Sequence, residues 1–341
     1  MPAKHNEEAF EKEIVSQMVE SGDWSEGQNA KYDADLCLYP EALIQFIQTT
    51  QLEMWEKLKK AVGGDAKTTF LNHIAKEITL RGTLAVLRND LDLYGCRFRL
   101  VYFQPSSSRP PALEAHFTRT VLTVVRPVFY RTSNRNSIDL VLFLNGLPVF
   151  TSELKNELTG QDVTDAVRQY RFDRRPEGEP FLKFGRCLAH FAVDTQQVQV
   201  TTKLTGRSSY FIPFNRGRDG GAGNPSPPAI GGGYATDYLW LRVWSKVSLL
   251  DILQHFLHHE KVGMRRSKSL GKLIFPRYHQ LDAVRTLINE ANQEGVGGNY
   301  LIQHSAGSGK SNTIAWLSHR LSQLMDTEDE RIFNAIIVIS D

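Results

Sequence analysis

Cysteine is scarce in this 341-residue chain: Cys37, Cys96 and Cys187 lie far apart, and no C-x-x-C pair occurs. That spacing excludes a zinc knuckle built on paired thiolates and a disulfide scaffold, and it fits a reducing compartment, so a cytoplasmic protein is expected. No apolar run approaches the roughly 18–20 residues that span a bilayer. The N-terminus (MPAKHNEEAFEKEIV) is charged from its start, so neither membrane insertion nor secretion is expected. A large charge imbalance is missing too. Forty Lys and Arg stand against 38 Asp and Glu, a formal +2, which excludes a histone-like or polyacidic protein and leaves any grip on nucleic acid to local basic patches. There is no nucleophile-elbow serine, no G-x-G-x-x-G fingerprint and no internal repeat. His255, His258, His259 and Glu260 cluster as H-x-x-H-H-E, which is not the zinc pattern H-E-x-x-H and is expected to be the polar face of a helix. What is present is a 41% hydrophobic composition over a length that suits two domains with sizeable cores.

Texture changes along the chain. Between Glu7 and Val19 the residues Phe10, Ile14, Met18 and Val19 recur at helical spacing, and Pro40 to Val62 carries a second amphipathic pattern, so the opening is read as mainly helical. Short runs rich in Val, Leu and Phe follow: CRFRLVYFQP, TRTVLTVVRPVFY, SIDLVLFLNG and LPVFTSELK are predicted strands. A helix is predicted over Val163 to Phe172, then strands at CLAHFAVD, QVQVTTKL and SYFIPF. Residues 216–233 are so dense in Gly and Pro that a long surface loop is expected. Tyr238, Trp240 and Trp244 are expected in the core, and Lys261 to Lys272 as a charged linker. Beyond it come helix (Pro276 to Glu294), strand (Asn299 to His304), glycine turn, helix (Lys310 to Leu324) and strand (Asn334 to Ser340), the alternation that opens a parallel α/β sheet.

The first chemical signal is an acid on one predicted strand and an acid with a base on the next. Asp139 heads the run DLVLFLNG, and Glu153 and Lys155 close LPVFTSELK, two residues apart and so on one face of a strand. Carboxylates converging amid apolar strands are costly without a cation, and Mg²⁺ suits hard oxygen ligands. Such an ion would polarise a phosphodiester, with Lys155 orienting a water or stabilising developing charge. Register decides whether the acids meet. A plain two-residue turn at Asn145-Gly146 pairs Leu144 with Leu147 and Asp139 with Ser152, on opposite faces from Glu153. A three-residue loop or a β-bulge is therefore predicted, which sets Asp139 opposite Glu153. Taken alone, E-x-K is common and reads as a solvated strand edge.

Arg168, Arg171 and Arg175, with Arg174 nearby, form a basic stripe suited to sequence-independent phosphate contacts, or a solvated helix face. A second signal is strand, glycine loop, helix over Tyr300 to Leu317. In Ala306-Gly307-Ser308-Gly309-Lys310-Ser311 the glycines let backbone N–H groups curl round an anion, Lys310 reaches the β/γ-phosphates and Ser311 offers a hydroxyl to Mg²⁺. His304 takes the place of the first Gly of the strict pattern. The chain stops at Asp341 before any D-E-x-x motif, arginine finger or second motor lobe, so a unit cut short is expected, able to bind nucleotide without the groups that hydrolyse it.

Asp139, Glu153 and Lys155 together resemble the PD-(D/E)-x-K nuclease core, in which three such residues bind metal and activate water; Ile138 stands in place of the Pro. Gln169-Tyr170 resembles the glutamine-and-tyrosine motif of RecB-like nucleases, whose side chains touch DNA or support the site. The spacing Q-x-x-x-Y would need Gln where Ala166 stands, and Tyr170 lies on the apolar face. Glu8, Glu11 and Glu13 are candidates for the further acidic contact that an N-terminal Glu makes in those enzymes. A-G-S-G-K-S is similar to motif I of superfamily 2 helicases, and Arg277 and Gln280 to the pair that reads adenine ahead of it. From about Tyr32 onward, IDLVLFLNGLPVFTSELKN, TGQDVTDAVRQYRFDRRP, FGRCLAHFAVD, VTTKLTGRSSYFIPFNRG, GGAGNP, SLLDILQHF and FPRYHQLDAV through AGSGKS are similar, in order and spacing, to the N-terminal part of the restriction (motor) subunit of type I restriction enzymes.

That resemblance implies an α/β protein with an endonuclease domain over 1–260, its core at about 90–215, a linker over 261–272, and over 273–341 the first part of a RecA-like motor domain ending after motif I. It implies Mg²⁺ at Asp139 and Glu153, ATP with its Mg²⁺ at Ser311, double-stranded DNA as substrate, and methyltransferase and specificity subunits as partners, S-adenosylmethionine belonging to the methyltransferase. In such an assembly the motor pulls unmethylated DNA and the N-terminal domain cuts away from the recognition site. A repair nuclease of RecB type and a non-catalytic DNA-binding or docking module stay open as alternatives.

Overall fold

The computed structural model describes residues 7–104, 111–131, 136–227, 233–260 and 270–339. Helix α1 (Glu7–Glu20) buries Phe10, Ile14, Val15 and Met18 and leads to strand β1 (Trp24–Gly27). The second amphipathic stretch is two helices, α2 (Pro40–Thr50) and α3 (Leu52–Val62), because Gln51 leaves the helical region (φ −145°, ψ 43°). Helix α3 stops where Gly63 turns left-handed and its N–H closes on Lys59. Helix α4 (Ala66–Arg81), capped by Asp65, and α5 (Thr83–Arg88) complete the helical opening. A hairpin of β2 (Leu91–Leu93) and β3 (Cys96–Phe98) and helix α6 (Pro111–Thr118) lead to β4 (Leu122–Val125) and the short pair β5 (Val128–Phe129) and β6 (Ser137–Ile138). Then come β7 (Leu140–Leu144), β8 (Leu147–Leu154), α7 (Val163–Phe172), β9 (Ala189–Val193), β10 (Val198–Thr201) and β11 (Ile212–Pro213).

Seven of these strands form one mixed sheet in the order β1-β4-β7-β8-β9-β10-β11, parallel at β1–β4 and β8–β9 and antiparallel elsewhere. Central β7 and β8 are buried at every residue, which is why their sequences read as near-continuous apolar runs instead of alternating. One face, with Leu140, Leu142, Phe150, Leu154 and Phe191, packs in a core shared with α1 to α5. The other, with Val141, Phe143 and Ala192, packs on Val163, Ala166, Val167 and Tyr170 of α7.

Register at the central hairpin combines the two expected possibilities. Asn145 and Gly146 make a two-residue turn, both left-handed (φ 48° and 81°), with Leu144 paired to Leu147. Phe143 then pairs with Pro148 but Leu142 with Phe150, so Val149 is the extra residue of a bulge. Beyond it Leu140 pairs with Ser152, and the same ladder extended by one residue sets Asp139 opposite Glu153. The buried Asn145 side chain ties the turn down, accepting from Val121 N–H (2.8 Å) and donating to Leu100 C=O (2.9 Å).

The segment after the sheet holds helix α8 (Lys246–Asp251), continued by a π-turn over Ile252–Phe256. Tyr238, Trp240 and Trp244 are buried. His258 and His259 are not on a helix: the chain extends at Leu257, and they form β12 (His258–His259), paired with β13 (Leu273–Ile274). Phe275 packs against Phe150, Phe191 and Phe214 of the main core. Helices α9 (Tyr278–Glu294) and α10 (Lys310–Leu321) follow, with Asp251 ion-paired to Arg285 and Arg320. The strands expected at Asn299 to His304 and from Asn334 are irregular chain, with Leu301, Ile337 and Ile339 exposed. A buried parallel strand needs a hydrogen-bonded neighbour and a layer on each face, and among the described residues neither stands beside these segments. Residues 228–232 of the Gly/Pro loop and 261–269 of the linker lie outside the described residues. No described helix is long and apolar enough to cross a membrane.

Replacing Asn145 by Ala orphans Val121 N–H and Leu100 C=O in the core and puts a β-carbon residue without its local hydrogen bonds at positive φ. Chemical denaturation of Asn145→Ala should show a loss of about 2–4 kcal/mol; a loss below about 0.5 kcal/mol would show that the turn does not anchor the hairpin.

Candidate active site

Asp139 sits in the bend between β6 and β7, and its Oδ2 accepts the backbone N–H of Leu154 at 2.8 Å, a bond that pins it across the bulged ladder. Glu153, on β8, is wholly buried. Its Oε1 accepts from Nε of Arg174 at 2.6 Å, while Oε2 has no hydrogen-bond donor among the described residues. Burial, and after it the charge of Asp139, push the Glu153 carboxyl well above the usual carboxylate range even with Arg174 beside it. Burial works against the Arg174 charge as well, but Glu153, with Tyr130 and Asp139 behind it, holds that guanidinium charged. Lys155 lies just past the end of β8, its N–H bonded to Val193 C=O (2.8 Å) and its Nζ ion-paired with Glu7 Oε1 (2.9 Å).

Helix α1 thus faces the site with Glu7 and Glu11, one turn apart. Of the three acids singled out there, Glu8 pairs outward with Lys12, and Glu13 accepts from the Tyr234 hydroxyl (2.7 Å). Glu11 is the one near Asp139: its pKa is pushed up to about 7, by burial first and Asp139 second, against the bond from Arg126 (3.3 Å). Behind Glu153 on the same face of β8, Thr151 Oγ1 lies 2.8 Å from the Tyr170 hydroxyl and 2.7 Å from Nδ1 of His190. His190 is buried and its pKa is pushed down to about 3, so the imidazole is neutral and the chain of three braces the strand. Tyr170 therefore packs and positions, as its place on the apolar face of α7 implied.

The arginines divide. Arg168 and Arg175 are exposed, Arg171 donates to Ser209 C=O (3.1 Å), and Gln169 is half-buried beside them. Arg174, two residues past the helix, turns inward to Glu153. Sequence reasoning passed over Glu7 and Arg126 and left Arg174 within the stripe. The i, i+4 relation of Glu7 to Glu11 was available as a signal, but the inward turn of Arg174 depends on how the chain leaves α7. As a test of fit to a divalent cation, Asp139 and Glu153 offer hard oxygens, and the orphaned Glu153 Oε2 is a buried acceptor short of a partner. Among the described residues no group of three or more His, Cys, Asp or Glu is placed to hold a metal ion, so a cation here would rest on two carboxylates and water. Two carboxylates with open positions suit Mg²⁺, which keeps several waters.

The glycine loop precedes α10, with Gly307 and Gly309 left-handed (φ 71° and 90°). Gln280 lies against it, its Nε2 donating to Gly309 C=O (2.8 Å) and its Oε1 accepting from Arg277 N–H (2.8 Å). A β-carbon at Gly309 would come within 2.5 Å of Gln280 Nε2, so only Gly fits. Lys310 Nζ folds back on the carbonyls of His304 (3.3 Å) and Ser305 (3.5 Å), and Ala306 and Ser311 are exposed.

Glu11 gives a pH prediction with a definite sign. Its folded pKa of about 7 exceeds the ordinary 4.5, so its favourable contribution is full below about 4.5 and is lost as pH rises through about 7. Without metal, Glu11→Gln should match the parent near pH 4 and be more stable at pH 8 by about 1 kcal/mol after solvent screening. Equal unfolding midpoints at pH 8 would show that Glu11 is not crowded by Asp139.

The family model for the Type I restriction enzyme R protein N terminus matches residues 4–209, a span that holds α1, Asp139, Glu153, Lys155 and α7. A comparison with curated proteins returns no match. The matched span covers more than half of the 341 residues and contains the whole acid-and-base cluster; the chain belongs to the family of the Type I restriction enzyme R protein N terminus.

Proposed function

We propose that the chain is the DNA-cutting part of the R subunit of a type I restriction–modification system: a Mg²⁺-dependent endonuclease of PD-(D/E)-x-K type, joined to the opening of an ATP-driven DNA translocase. The observation that supports this reading is the bulged register that sets Asp139 opposite Glu153, with Lys155 two residues further along the same chain and a buried Glu153 oxygen without a donor among the described residues. A solvated strand edge would bury neither Glu153 nor Lys155. Mg²⁺ held by Asp139 and Glu153 would supply the positive charge that polarises a phosphodiester and acidifies a bound water.

The chain's own residues do the rest. Leu154 N–H keeps Asp139 turned to the site, Arg174 holds one oxygen of Glu153, and the Tyr170–Thr151–His190 chain braces the strand that carries Glu153. Lys155, held at the rim by Glu7, orients the attacking water and meets the negative charge that grows on the phosphate oxygens. Water adds to phosphorus, the bond to the leaving ribose oxygen breaks, and that oxygen takes up a proton. Arg168 and Arg175, both exposed, with Arg171 and Gln169, would grip backbone phosphates without sequence preference.

For the second site, the reading is ATP held by Ala306 to Ser311, with Lys310 on the β/γ-phosphates, Ser311 on the nucleotide's Mg²⁺, and Arg277 and Gln280 toward adenine. It is supported by the two left-handed glycines at a helix N-terminus and by the hydrogen bond of Gln280 to the loop. The partners in this reading are double-stranded DNA and the methyltransferase and specificity subunits, in the cytoplasm, with S-adenosylmethionine on the methyltransferase.

In the full assembly with ATP, Asp139→Asn, Glu153→Gln and Lys155→Ala should each cut unmethylated DNA at least ~100-fold more slowly, with circular dichroism unchanged. Parental cleavage by any one of them would remove that residue from the mechanism.

A further inference from the structure

The chain leaving Arg174 crosses to α4, and the two wall a cavity of about 520 Å³ remote from the carboxylate pair in its lining: Lys76 and Thr79 come from one wall, Glu179, Lys183 and Arg186 from the other. Arg186 is only 7% exposed. Its guanidinium donates to Thr79 Oγ1 (2.9 Å) and to Leu36 C=O (3.4 Å), both neutral, and it has no ion pair among the described residues. Arginine does not shed its proton, so a buried guanidinium without a counter-charge is costly, and proteins pair such groups. Lys76 and Lys183 open on the same cavity, likewise without ion pairs. The Glu179 carboxylate is engaged by Arg131 (2.8 Å), which leaves Asp35, among the described lining residues, as the unpaired acid facing three cations.

The wall is built, not draped. Thr83 fixes it by two bonds, N–H to Gly185 C=O (2.8 Å) and Oγ1 to Arg186 C=O (2.6 Å), and Arg186 N–H closes a turn on Lys183 C=O (3.0 Å). Gly185 is left-handed at φ 87°, a conformation in which any other side chain would be strained. The guanidinium is therefore held at the cavity by backbone and not by another charge.

We infer that this cavity is an anion site that takes a phosphate group, its oxygens received by the Arg186 fork and its charge balanced by Lys76 and Lys183. A planar fork with two flanking ammonium groups matches a tetrahedral oxyanion in geometry and sign. The group is either a DNA backbone phosphate or free phosphate. The site does not depend on how Asp139, Glu153 and Lys155 are read, although the segment that carries it starts at Arg174 and so ties an occupied cavity to the residue that holds Glu153.

The test is calorimetric titration of the chain with inorganic phosphate at constant ionic strength, then repeated in the presence of duplex DNA. One saturable phosphate is expected, weakened about tenfold or more in Arg186→Gln. The double variant Lys76→Glu, Lys183→Glu alters exposed positions only, so it tests the site even if Arg186→Gln does not fold, and it should show the same loss. Displacement of phosphate by duplex identifies a backbone phosphate as the occupant; phosphate that stays bound beside duplex identifies the free anion. Absence of saturable binding to the parent chain, or binding that survives both variants unchanged, overturns the inference.

Discussion

A β-sheet sends alternate side chains to opposite layers, so one residue of register decides whether two strands bring their functional groups together or apart. In this protein the decision falls on Val149. With the turn fixed at Asn145-Gly146, an unbroken ladder would set Asp139 against Ser152 and leave Glu153 in the other layer; the bulge restores the pairing. Asn145 makes that turn immovable by bonding two other segments, and Gly146 has Tyr39 C=O and Leu43 packed so close that a β-carbon would meet them at 2.5–2.8 Å. The helices of one layer, through α2, and the hairpin of the sheet thus specify each other, and the position of Asp139 is a consequence.

Given that register, the electrostatics follow. The sheet centre is buried on both faces, so two carboxylates delivered there are short of positive charge. The chain offsets this in part: Arg174 takes one oxygen of Glu153, a backbone N–H takes one of Asp139, and Glu11 shares in the strain by holding its proton up to about pH 7. What is left over is the unmatched Glu153 Oε2. An unsatisfied acid at the buried centre of a sheet marks a candidate functional site.

Much of this was legible in the residues. Asp139, Glu153 and Lys155 stand out because charge interrupts apolar strand runs, and parity called for either a three-residue loop or a bulge, of which the structure has the bulge. Helix α7 was predicted from its apolar period at its observed limits, Val163 to Phe172, and the structure adds the Asp162 cap that starts it. The break at Gln51 was not legible, because both halves keep a helical period and Gln is a good helix former; a backbone turn imposed by packing won. Nor was the inward path of Arg174, which depends on an exit geometry that no local pattern encodes. The segments 299–304 and 334–340 were read as strands from composition, and a strand exists only in a ladder, which sequence cannot guarantee. His258 and His259 show the converse, a two-residue strand made by a distant partner, Leu273–Ile274.

Whether Asp139 and Glu153 form a divalent-cation site is tested by calorimetry of Mg²⁺ or Mn²⁺ binding, without DNA, ATP or partner subunits. Binding to the parent chain is expected to be lost in Asp139→Asn while fold and melting behaviour persist. Binding of equal strength in the variant would contradict it, since the buried acid would then owe its place to something other than a metal.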